Sequence, residues 1–124
     1  MKLRHAMLFV SDLPRMLAFY RDGLGLRARP DRAAPGWEEL DAGGASLALH
    51  QIPPHIAATV TIASPPAARE DTPIKLIFEV DDLDAARATL VAHGAIMKEP
   101  YAWGACDGID PEGNVFQIAK PRPE

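Results

Sequence analysis

The chain has a single cysteine, Cys106, among its 124 residues. One thiol excludes an internal disulfide, and a reducing cytoplasm is the expected setting. No Lys/Arg cluster occurs and the formal net charge is -4, so the basic footprint of a nucleic-acid binder is missing. No apolar run approaches the roughly 20 residues that span a bilayer. The opening residues lack the apolar stretch of a secretory leader, because charges fall at Lys2, Arg4 and Asp12. No CxxC pair or nucleophile elbow is present. The glycines of DAGG, residues 41–44, lead into a strand rather than a helix N-terminus, which excludes a phosphate loop. What remains is 48% hydrophobic and 24% charged, the balance of a globular protein of one domain.

The most informative feature is a repeat. His5–Pro30 aligns without gaps with Lys75–Pro100, matching Val10 with Val80, Asp12 with Asp82, Leu13 with Leu83 and Ala18 with Ala88. Leu40–Gln51 aligns with Ile109–Lys120, matching Asp41 with Asp110 and Gly44 with Gly113. Each half opens on an alternating strand, 5–10 or 75–80. Asp12 or Asp82 then caps a helix with apolar residues at helical spacing, and Gly23 or Gly94 stops it. Strands near 26–29, 36–41 and 45–51, and near 96–99, 103–109 and 114–119, complete two βαβββ modules. Module 1 covers about 1–52 and module 2 about 74–124. Between them, about 53–73, two Pro-Pro pairs mark irregular backbone, with ATVTIA as a candidate edge strand.

The tandem βαβββ pattern, the opening HAMLFVSDLPRMLAFYRDGLGL and the closing DPEGNVFQI resemble the vicinal oxygen chelate superfamily. That superfamily includes glyoxalase I, bleomycin-resistance proteins, extradiol dioxygenases and fosfomycin-resistance enzymes. The resemblance implies an α+β fold whose modules form a cupped mixed sheet with helices on the outer face. Small molecules or metals bind inside the cup. Members of this length are commonly homodimers.

Period-two alternation assigns the faces. Ala6, Leu8 and Val10 pack under the helices, leaving His5, Met7 and Phe9 toward the cup. Leu47 and Leu49 are core, so Ser46, Ala48 and His50 face in. Leu76, Phe78 and Val80 are core, leaving Lys75, Ile77 and Glu79. Phe116 and Ile118 are core, leaving Val115 and Gln117. Metal-binding members carry their ligands, usually histidines and glutamates, at the positions matching His5, Ala48, Lys75 and Gln117. Only His5 keeps the common type. Ala48 offers no ligand, and an ammonium at Lys75 repels a cation.

Lys75 pointing inward needs a carboxylate partner, because an unpaired buried charge costs on the order of several kcal/mol. Glu79 and Asp107 are the candidates. Cys106 reads as a packing residue, His55 as a surface residue and His93 as a helix-end group.

Two functions follow from the resemblance. In the preferred one, a metal-free cup binds a small organic molecule, partly aromatic or cationic. Its site consists of His5, Met7, Phe9, His50, Lys75, Glu79, Trp103, Asp107 and Gln117, and no catalytic residue is assigned. The acids are Glu79 and Asp107, and the walls Met7, Phe9, Ile77 and Trp103. The alternative is a metal-dependent lyase or dioxygenase of the same superfamily, holding a divalent ion with His5, His50 and Gln117.

Overall fold

The computed structural model describes residues 1, 3–69, 71 and 73–122. The chain divides into two compact units, Met1–Thr61 and Ile62–Glu124. The first contains β1 (Ala6–Val10), α1 (Leu13–Ala18), β2 (Arg27–Ala28), β3 (Trp37–Asp41), β4 (Ser46–Gln51) and the short α2 (Pro54–Ala57). The second contains β5 (Leu76–Glu79), α3 (Leu83–Ala92), β6 (Ile96–Met97), β7 (Ala105–Ile109) and β8 (Val115–Ala119). Strand order is β1-β4-β3-β2 in one sheet and β5-β8-β7-β6 in the other. In each, the first and last strands run parallel and the other pairs antiparallel. The architecture is α+β, with two mixed sheets of the same topology.

Helices α1 and α3 begin as their aspartates dictate. Asp12 accepts a hydrogen bond from the Arg15 amide at 3.1 Å, and Asp82 from the Ala85 amide at 3.0 Å. Gln51 adds a second tie in the first unit. Its Oε1 accepts from the Leu13 amide at 2.9 Å and its Nε2 donates to the Ser11 carbonyl at 2.8 Å. The end of β4 thereby fixes the turn from β1 into α1. Met16, Phe19 and Tyr20 then cover Val10, Leu40, Leu47 and Leu49, all buried. Leu83 and Leu90 lie in a second buried set with Met97, Cys106, Phe116 and Ile118. Cys106 is fully buried and its thiol points to the Lys98 carbonyl at 3.1 Å, as a packing residue on the helix side. Burial raises its pKa.

Several expectations need correction. The first helical run ends at Gly23 as expected, but without a left-handed turn at that residue. It widens into a π-turn over Phe19–Gly23, closed by the Leu24 amide on the Phe19 carbonyl, and positive φ falls at Gly25. The wider turn delays the reversal by two residues. ATVTIA, residues 58–63, forms no strand; a turn and irregular backbone follow α2 there, and no described strand pairs with it. The β3–β4 connection is four residues, Ala42–Ala45, whereas the β7–β8 connection is five, Asp110–Asn114. Asp41 is therefore the structural counterpart of Ile109, not of Asp110. The extra residue accommodates the buried Asp110 carboxylate, which accepts from the amides of Glu112 and Asn114 and from the Asn114 side chain. No helix among the described residues is long and apolar enough to cross a membrane.

The longer turn is clamped from outside. The Gly113 carbonyl accepts from the Arg69 amide at 2.8 Å, and Gly113 has φ +86°. A Cβ at Gly113 would collide with the Ala67 carbonyl oxygen. Gly113→Ala should combine backbone strain with loss of this docking and cost at least about 2 kcal/mol. Chemical denaturation checks this; a change under about 0.5 kcal/mol, the range of an inert surface substitution, would refute it.

Candidate functional site

Each sheet has one face under its helix and one face without helical cover. The alternation assigned from sequence holds on both strands of each parallel pair. In the first unit, Met7 lies opposite Ala48 and Phe9 opposite His50. The neighbouring strand places Trp37 beside His50 and Glu39 beside Ala48.

Four rings run across this open face. Phe9 and His50 have centroids 5.7 Å apart, His50 and Trp37 5.6 Å, and Trp37 and His5 5.5 Å. Trp37 therefore stands between the two histidines. Glu39 lies at the base, only 8% exposed. The Trp37 indole N–H donates to its Oε2 at 3.1 Å, and the Ser46 hydroxyl donates more weakly to Oε1 at 3.4 Å. His5 Nδ1 and the Arg32 guanidinium approach Oε1 at 3.9 and 3.8 Å. The Trp37 hydrogen bond leads the effects that hold the Glu39 pKa below the usual carboxylate value; burial opposes it, and His5 and Arg32 assist. His5 Nδ1 is buried with no hydrogen-bond partner among the described residues.

In the second unit, Ile77 and Asp107 both lie opposite Gln117. Asp107, 9% exposed, is the hub. Its Oδ1 accepts from Lys75 Nζ at 3.2 Å and from Gln117 Nε2 at 2.9 Å. Its Oδ2 accepts from the Tyr101 hydroxyl at 2.7 Å. Burial alone would raise the Asp107 pKa, but Tyr101, Gln117 and Lys75 together outweigh it and hold it low. The same hydrogen bond raises the Tyr101 pKa, so the phenol keeps its proton. Tyr101 stacks on Trp103 with centroids 5.4 Å apart and planes 10° from parallel.

Of the residues singled out from sequence, the structure gathers His5, Phe9 and His50 in one unit. It gathers Lys75, Asp107 and Gln117, with Trp103 through Tyr101, in the other. Met7 is partly exposed beside Ala48, and Glu79 is exposed and takes no part in the Lys75 pair. Sequence reasoning missed Glu39, the structural counterpart of Asp107. Leu40 in the core fixes the strand's phase and turns Glu39 to the open face, so the signal was the alternation of one strand. Among the described residues, no three of His, Cys, Asp and Glu converge as ligands for a metal.

The family profile of the Glyoxalase/Bleomycin resistance protein/Dioxygenase superfamily matches residues 2–118. The chain belongs to this superfamily. Among solved structures, a family enzyme from Burkholderia phytofirmans PsJN superposes with TM-score 0.73 at 22% identity, covering 97% of this chain and 98% of the other. The fosfomycin resistance protein FosX of Mesorhizobium loti gives TM-score 0.72 at 18% identity, covering 98% and 92%. FosX of Listeria monocytogenes, solved with Mn(II) and a sulfate ion, gives 0.73 at 16%, covering 98% and 90%. No curated protein matches.

The Asp107 hub explains the neutral residue at position 117. A glutamate there would set two carboxylates side by side. In Gln117→Glu, urea unfolding at about pH 8 should show a loss of about 1–3 kcal/mol. That loss should shrink toward about pH 5 as the crowded pair takes up a proton. Wild-type Asp107 has the opposite dependence. Its folded pKa is depressed, so its stabilisation is full above the unfolded value near about 4 and is lost as pH falls through the folded value. A pH-independent loss in Gln117→Glu would show that the two carboxylates do not share a proton and that crowding of like charges is not the cause.

Proposed function

We propose that this protein binds a small organic molecule on the open sheet faces without a metal ion. The observation that carries this reading is the donor chemistry around Asp107. Superfamily members that use a divalent metal need lone pairs at the positions of Lys75 and Gln117. Here both side chains direct N–H donors at Asp107; Lys75 is a cation in an ion pair, and Gln117 keeps only a neutral amide oxygen where a carboxylate ligand would stand. In the first unit, the counterpart of Gln117 is Ala48, which has no donor atom. The residues present therefore do not fit the metal site of the metalloenzyme relatives.

The open faces suit a ligand-binding role. Phe9, Ile77 and Trp103 remain 60%, 61% and 69% exposed on or beside them, next to a few fixed polar groups. Apolar walls with a small number of oriented polar groups are the usual composition of ligand sites.

One observation favours the alternative, a metal-dependent lyase or dioxygenase. His5 Nδ1 is buried without a partner and lies 3.9 Å from Glu39. An imidazole and a carboxylate so placed are two potential ligands, although the Arg32 guanidinium 3.8 Å from the same oxygen repels a cation. Elemental analysis of protein purified without chelator or nickel resin separates the readings. The expected result is substoichiometric metal and no thermal shift with divalent ions. Stoichiometric metal that disappears in His5→Ala would sink the metal-free reading.

The same reading takes the protein as a cytoplasmic homodimer. The exposed apolar side chains of both open faces support the association of two copies. Light scattering at micromolar concentration should report twice the chain mass; a monomer would reject the dimer.

A further inference from the structure

We propose that the open face of the second unit selects a small organic monoanion, a carboxylate with an apolar body, held by Lys98 and Lys75. This inference rests on the metal-free binding reading above and names its ligand class. A cleft of about 210 Å³ lies on this face, lined by Lys75, Lys98 and Asp107 with Ile96, Ile109, Val115 and Ala68. Strand register orders these side chains. Ile96 pairs with Ile109 and Ile109 with Val115, an apolar row across three strands. One step along lies a polar row, in which the Lys98 amide bonds the Asp107 carbonyl at 2.8 Å and Asp107 stands opposite Gln117.

The charges of that row decide the class. Asp107 is matched by Lys75 and has three donors on its two oxygens, so a ligand cation would have to displace one of them. The Lys98 ammonium is exposed and makes no ion pair among the described residues; the neighbouring Glu99 turns to Arg87 at 3.8 Å. Lys75 commits one hydrogen to Asp107 and its side chain stays 43% exposed, leaving donors for a second acceptor. The cleft thus has one unmatched positive charge and two ammonium groups with free N–H bonds. A monoanion balances it, whereas a dianion would leave one negative charge unmatched. Ligand pockets for drug-sized molecules usually run about 300–1,000 Å³, so the occupant here is smaller, with its body on Ile96, Ile109 and Val115.

The test is an NMR titration of the isotope-labelled full chain with benzoate, benzyl alcohol and benzylamine, three probes of one shape and different charge. Saturable shifts at the Ile109 and Val115 amides are expected with benzoate, with binding about tenfold weaker in Lys98→Gln, the scale of one charge-assisted hydrogen bond. Lys98→Arg should restore affinity to within about threefold, and because residue 98 is exposed both variants should fold. The inference is overturned if benzylamine or benzyl alcohol binds as well as benzoate, if Lys98→Gln leaves benzoate binding unchanged, or if none of the probes binds with or without Mn(II). Saturable benzoate binding that appears only after Mn(II) is added would keep the anion preference and reject the metal-free reading beneath it. Tight benzylamine binding without metal would do the reverse.

Discussion

A carboxylate removed from water must be surrounded by donors, and in this protein that requirement organises the open face of the second sheet. Asp107 stands on a middle strand with little solvent contact. Its ionised form persists because an ammonium, an amide and a phenol converge on its two oxygens. Each of those donors comes from a different stretch of chain: the start of β5, the middle of β8 and the turn before β7. The hydrogen-bond set thus ties the strands together on the side where no helix covers them. Neutrality at Gln117 and positive charge at Lys75 are two sides of one solution to a buried negative charge.

The duplication makes a comparison within one chain possible. Glu39 occupies the same strand position in the first unit and is also buried and ionised, yet its surroundings differ. An indole N–H supplies the main hydrogen bond, while His5 and Arg32 stand farther off than Lys75 does from Asp107. Glu39 takes its main hydrogen bond from Trp37 on its own strand, whereas the donors to Asp107 come from other segments. The same strand position thus carries an acid in both units, under an aromatic face around His50 in one and a polar face around Gln117 in the other.

Much of this was legible in the sequence because it depends on period. Alternation assigned the open-face residues of β1, β4, β5 and β8 correctly, and the aspartates at 12 and 82 announced both helix starts. What escaped depends on contacts distant in sequence. The single extra residue in the turn after β7 is needed by the Asp110 hydrogen bonds, and a gapless alignment hides it. The partner of Lys75 was narrowed to two carboxylates, and only the strand pairing chose Asp107 over Glu79. Glu39 follows another glutamate, and only the burial of Leu40 on the helix side fixes Glu39, rather than Glu38, on the open face. ATVTIA has the β-branched residues of a strand, yet it pairs with none of the described strands, and pairing is a contact distant in sequence.

The position of Cys106 gives the chain an internal reporter. Its thiol is sealed under the helix of the second unit, bonded to a carbonyl and raised in pKa by its surroundings. Folded protein should therefore resist alkylating reagents, since the thiolate is the reactive species. Because the first unit has no thiol of its own, labelling occurs only when the second opens. Its rate then measures the local opening of that half alone, without any engineered probe.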